Sequence, residues 1–102
     1  RLRPNDPASP IVASEIVTTS VGSRGIGATA LAQIRESNPD LLHARSDERG
    51  YTQVEVSHRA VEARFRATPH PAAPDAMLST QARVRVDRGR PGVQLVPFAS
   101  NG

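Results

Sequence analysis

The chain has 102 residues, with 13 arginines and no lysine against 10 acids, and a net charge of +3. That length allows one small domain with a modest core and leaves no room for a second module. With no cysteine, disulfides, thiolate metal sites and a cysteine nucleophile are excluded, and no apolar run approaches the roughly 20 residues of a membrane span.

Residues 1–10, RLRPNDPASP, are rich in Pro, Asn, Asp and Ser and read as a connecting loop. The stretch has neither an apolar signal core nor helical periodicity and does not start with Met, so the expectation is a chain processed or excised from something longer. Residues 11–19, IVASEIVTT, have the β-branched content of a strand, with apolar positions on both faces as in a buried one. Glycines at 22, 25 and 27 then make a loop. Thr29 is placed to cap a helix through Glu36, with Ala30, Leu31 and Ile34 on one stripe. Asn38-Pro39 ends it, because the residue before proline is pushed out of the helical region.

From Gly50 the period changes to two. Thr52, Val54 and Val56 alternate with Gln53 and Glu55, and Val61, Ala63 and Phe65 alternate with Glu62, Arg64 and Arg66. Ser57-His58-Arg59 between them is short enough for the turn of an antiparallel hairpin. A proline-rich loop, TPHPAAPDA, leads to a third strand, where Ala82, Val84 and Val86 alternate with Arg83, Arg85 and Asp87. RGRPG at 88–92 is turn chemistry, and the tail from Val93 can add one more extended piece. The chain therefore predicts one strand, one helix and a three-stranded antiparallel unit.

An arginine-rich surface can bind phosphates bidentately, which raises a β-rich polyanion-binding module as one reading. Against it, Arg64, Arg66, Arg83 and Arg85 fall where the wet side of a sheet would be. Only Tyr51, Phe65 and Phe98 are available to stack on bases. Nucleic acid is not the expected partner.

The glycine loop raises a second alternative. SRGIG at 23–27, followed by ATALA, resembles the nucleotide loop of short-chain dehydrogenases, where a strand feeds a glycine turn into a helix whose N-terminus binds pyrophosphate. Val21 stands at the place of that pattern's first glycine, and no acidic residue follows on a second parallel strand.

A third resemblance covers nearly the whole chain. VASEIVTTSVGS, SNPDLL, ERGYTQVEVSHRAVEARFRAT and APDAMLSTQARVRVDRGRPGVQ follow one another as in the C-terminal region of the alkaline phosphatase D (PhoD-like) metallophosphatases. The matching residues are Glu15, Val17, Thr19, Ser20 and Ser23, then Asn38 and Pro39, then Arg49, Gly50 and Tyr51. Ser79, Thr80 and Ala82 follow, and Gly89, Arg90, Pro91 and Gly92 complete the set. Asp40 stands where the family usually has histidine, Ile16 where it has phenylalanine, Glu48 at the first of its paired arginines, and Val61 at a hairpin aromatic.

The resemblance implies an α+β fragment, mostly antiparallel β with one helix, forming the C-terminal part of a calcineurin-like αββα sandwich. Its activity would be metal-dependent hydrolysis of phosphate esters, as an alkaline phosphatase or phosphodiesterase. Divalent or ferric ions, such as calcium and iron, would act in the complete enzyme and none would be bound by this segment alone. The partners implied are the upstream catalytic part of the same polypeptide and a phosphate-ester substrate, and the location implied is periplasmic or secreted.

No catalytic or metal-binding residue is expected within the segment. His43, His58 and His70 never occur as H-x-H or G-D-x-H; His58 sits in a predicted turn and His70 between prolines, where a solvated side chain is the expectation. The cluster Asp40, Asp47 and Glu48 reads as a solvated loop. The resemblance places the TTSVGS loop beside the metal site, where Thr19, Ser20 and Ser23 can offer hydroxyls and Gly22 a backbone amide to a phosphate or to a metal ligand. The alternative is that these residues only finish a strand and turn the chain.

Overall fold

The computed structural model describes residues 1–20, 23–69 and 74–97, so Gly22, His70 and Phe98 lie outside the described residues. One helix, α1 (Ala28–Ser37), precedes four strands: β1 (Glu48–Val56), β2 (Ala60–Pro69), β3 (Ser79–Asp87) and β4 (Arg90–Leu95). The strands form a single antiparallel sheet in the order β1-β2-β3-β4. The fold is a small α+β unit.

The period-two pattern sets the register. Val54, Ala63, Val84 and Leu95 lie side by side across all four strands, and Thr52, Phe65 and Ala82 form the next row of the same face. Glu55, Glu62, Arg85 and Gln94 make a row of the opposite face. Ser57 closes the first hairpin: its amide donates to the Ala60 carbonyl at 2.9 Å, and its Oγ accepts from the amides of Arg59 and Ala60. At the β3–β4 turn Gly89 has φ 74°, a left-handed conformation that glycine adopts without a Cβ penalty.

Three expectations need correction. Residues 11–19 form no strand: β-branched residues favour extended backbone, but a strand requires a neighbouring edge to bond, and the sheet closes without this segment. The antiparallel unit has four strands, because only residues 88–89 of RGRPG turn the chain and Arg90, Pro91 and Gly92 already belong to β4. Pro91 is tolerated there because β4 is an edge strand. Finally, Thr29 is inside α1 and caps nothing; Gly27 is the N-cap residue, with no side-chain cap bond. The other end behaves as the sequence suggests, with Asn38 as C-cap and its Nδ2 donating to the Ile34 carbonyl at 2.8 Å.

The core is thin. It consists of Ala60, Ala63, Ala67, Ala82 and Val84, and among the described residues no large side chain is fully buried. Helix α1 buries none of its residues and packs against no strand. The apolar sheet face is covered at one end by residues 11–20 and left open at the other, where Val56 is 73% and Leu95 53% exposed.

Candidate functional site

Residues 11–20 cross the apolar sheet face as an arm held at both ends. Ile11 lies against Gly92 of β4, and the Thr18 hydroxyl bonds the Thr52 hydroxyl of β1. Together with residues 38–45, the arm walls a cleft of about 940 Å³ whose floor includes Thr52, Phe65 and Val84.

Its outer wall is fixed by a reciprocal clasp. The Asn5 amide donates to Oδ2 of Asp40 at 2.5 Å, and the Asp40 amide donates to Oδ1 of Asn5 at 3.2 Å. Asn5 takes φ 62°, a left-handed conformation that asparagine accepts more readily than most residues. Arg1 adds an ion pair, its Nε 3.0 Å from Oδ1 of Asp40. Asp40 is thus a structural anchor in this chain.

The Asn5 amide, and after it the Arg1 guanidinium, hold the Asp40 carboxyl below its ordinary value of 3.8. A group whose folded value is lowered contributes its stabilisation above the unfolded value and loses it as pH falls through the folded one. The clasp is therefore expected to be intact above pH 3.8 and to release only at lower pH. Following the Asn5 amide resonance against pH checks this, and a midpoint at or above 3.8 contradicts it.

Past the arm, Arg49, 5% exposed, gathers three backbone carbonyls. Its Nε donates to the Ser23 carbonyl at 2.6 Å, and its Nη1 to the carbonyls of Ser46 and Glu48 at 3.2 and 2.6 Å. Gly25 lies against this guanidinium: a Cβ there would overlap Arg49 and sit 2.6 Å from the Ser46 carbonyl oxygen. This glycine is needed for close approach, as a dinucleotide loop also requires, but what approaches is the protein's own arginine.

Beside Arg49 runs a chain of side chains. His43 stacks on Phe65 with ring centroids 5.6 Å apart and 28° between planes. Its Nε2 lies 2.7 Å from Oε1 of Gln81, whose Nε2 donates to Oε1 of Glu48 at 3.0 Å. Arg45 pairs with the same carboxylate at 3.2 Å, and its bonds to Asp47 hold that carboxyl below the ordinary aspartate range. On the opposite sheet face Glu62 pairs with both Arg83 and Arg85, and Arg85 with Asp87 at 2.6 Å.

Of the residues singled out from sequence, Thr19 lines the cleft. Ser20 is exposed and does not line it. Ser23 is also exposed, and its contribution is the carbonyl that Arg49 binds. Gly22 lies outside the described residues. Among the described residues, no group of three or more His, Asp or Glu is arranged to hold a metal ion, and no helix is long and apolar enough to cross a membrane. Sequence reasoning gave Arg49 no role beyond its place in a resembling block, read Glu48 as a solvated loop acid, and did not connect His43, Gln81 and Glu48. Nothing in the sequence marked that connection, because Thr80, Ala82 and Val84 keep one unbroken inward alternation through Gln81.

No family model, no curated protein and no solved structure matches the chain.

Proposed function

We propose that the chain is the C-terminal portion of a PhoD-like metallophosphatase, an alkaline phosphatase or phosphodiesterase acting on phosphate esters, with the metal ligands supplied by residues preceding Arg1. The observation that carries the reading is convergence. Glu15, Val17 and Thr19 of the first resembling block, Asn38 and Pro39 of the second, Tyr51 of the third and Gly92 of the last all line the same cleft. Blocks that resemble a family in order, and that also meet around one cavity, support a common site more strongly than any of them alone.

In this reading the sheet belongs to a calcineurin-like sandwich, and the open apolar end bearing Val56 and Leu95 is where the upstream polypeptide packs. In the same reading the ions of the complete enzyme are bound by residues upstream of this segment. The chain's own contribution is to shape the cleft and to orient the ester through hydroxyls and amides. Export to the periplasm or outside the cell belongs to the same proposal.

The alternatives lose support. A doubly wound dehydrogenase needs parallel strands, and the described sheet is wholly antiparallel. A polyanion-binding face needs arginines free to neutralise phosphates, and Arg83 and Arg85 are already paired with Glu62 and Asp87.

The test begins with the reading frame before Arg1, where we expect a G-D-x-H pattern within about a dozen residues and further Asp, His and Asn motifs upstream, the clustering a two-metal site requires. A start codon just before Arg1 would overturn the proposal. In the longer polypeptide, assayed on an aryl phosphate with added divalent and ferric ions, Ser20→Ala and Ser23→Ala then separate a working loop from a passive one. The Ser23 carbonyl survives its substitution, so the bond to Arg49 is kept. A hydroxyl bonded to the phosphoryl group in the transition state predicts about a 10- to 150-fold drop in turnover. Wild-type kinetics in both variants would make the loop a turn and nothing more.

A further inference from the structure

We propose that Glu48, Gln81 and His43 form a relay that sets the tautomer of His43 and makes its Nδ1 the proton-accepting atom of the cleft. The ligand that suits such an atom brings a proton-bearing oxygen, here the hydroxyl of a hydrogen phosphate or of an alcohol. That choice of ligand rests on the phosphatase reading, whereas the tautomer follows from the geometry alone.

The relay begins with a defect in the sheet. Phe65 pairs with Ala82 but Arg66 with Thr80, so Gln81 is an extra residue without a partner on β2. A bulge of this kind redirects a side chain, and Gln81 reaches both Glu48 and His43. Each bond then fixes the direction of the next. A carboxylate only accepts, so the amide nitrogen of Gln81 must face Glu48 and its oxygen must face His43. An amide oxygen also only accepts, so Nε2 of His43 must carry a hydrogen. A neutral imidazole has one N–H, which leaves the lone pair on Nδ1.

The ends of the relay are held. Arg45 pins the Glu48 carboxylate, whose side chain is 11% exposed, and Phe65 supports the imidazole plane. Among the described residues Nδ1 has no hydrogen-bond partner, while the ring lines the cleft. A histidine used only for packing needs no such directional chain behind it.

The experiment is long-range proton–nitrogen NMR on the chain labelled with ¹⁵N-histidine, at a pH where imidazole is neutral, with His43 assigned by the signal lost in His43→Phe. The wild type is expected to show about a tenfold excess of the Nε2–H form, the preference that one net hydrogen bond can set. Glu48→Gln is nearly isosteric but lets the Gln81 amide turn over, and Gln81→Leu removes it. In both, the excess should fall by about twofold or more, in Gln81→Leu to the Nε2–H preference that a free neutral histidine side chain has by itself. An Nδ1–H ring in the wild type, or an unchanged preference in Glu48→Gln, overturns the relay.

The longer polypeptide tests the role. Glu48→Gln should lower kcat on an aryl phosphate about tenfold with KM unchanged. An unchanged kcat removes Nδ1 from the reaction. A wild-type polypeptide that hydrolyses no phosphate ester overturns the phosphatase reading and the ligand assignment with it, and the NMR result decides the tautomer independently.

Discussion

Replacing Arg49 with methionine is expected to cost about 3 to 5 kcal/mol of unfolding free energy, among the largest effects of any single change in this chain. Methionine keeps much of the volume and removes every donor. The carbonyls of Ser23, Ser46 and Glu48 would then be left without the guanidinium that satisfies them. Among the described residues Arg49 makes no close ion pair, and Asp47 acts on it only at longer range, so its donors go to backbone carbonyls, a set that a planar, multiply donating group serves best. Lysine should recover only part of the loss, since an ammonium cannot spread its donors along that fork. Urea unfolding checks both: the midpoint falls while the slope stays constant. A loss below about 1 kcal/mol in Arg49→Met would mean that water replaces the guanidinium easily, contrary to its burial.

Gly50→Ala is expected to be nearly as damaging, at about 3 kcal/mol, the upper range for forcing extra atoms into a packed site. Gly50 faces Ala67 across the β1–β2 ladder. A Cβ at this position would lie 2.8 Å from the Cα of Ala67 and still closer to the Arg66 carbonyl oxygen. Both obstacles are backbone, so no side chain can swing aside and β1 must move off β2. The matching change at Gly27, where nothing lies within 4 Å, controls for the loss of glycine as such. If both alanine variants unfold at the same urea concentration, the close approach of the two strands is not what Gly50 provides.

The hairpins were legible because their information is local. Alternation over 52–56, 60–67 and 82–87 gives the face of each strand, and Ser57-His58-Arg59 is too short to do anything but reverse the chain. The end of α1 at Asn38-Pro39 was readable for the same reason. What failed depended on partners remote in sequence. IVASEIVTT has strand composition, yet composition does not say whether an edge is free to receive it, and here none of the four strands pairs with it. Asp40 read as a solvated loop acid because its partners, Asn5 and Arg1, are far upstream. Arg49 was named only as part of a resembling block; its burial needs the loops at Ser23 and Ser46 to meet. The glycine at 25 was visible as a demand for close approach, and only the fold says what approaches. The relay was illegible because the bulge at Gln81 shifts the pairing with β2 while the alternation of Thr80, Ala82 and Val84 runs on unbroken.

The clasped arm has a consequence for the order in which the molecule assembles. Strands β1 to β4 are neighbours in space in the order in which they leave the ribosome, so each hairpin closes a short loop and the meander can zip along its length. The arm's contacts, Thr18 with Thr52 and Ile11 with Gly92, close far longer loops. They lose more chain entropy and so come late, after the sheet has given the arm a surface to lie on. By the same accounting the arm is the first part to peel away, while the sheet beneath it persists. The cleft is therefore the youngest feature of the folded chain and the earliest to vanish, and a molecule that binds there would hold the arm down, since it binds only the form in which the arm is seated.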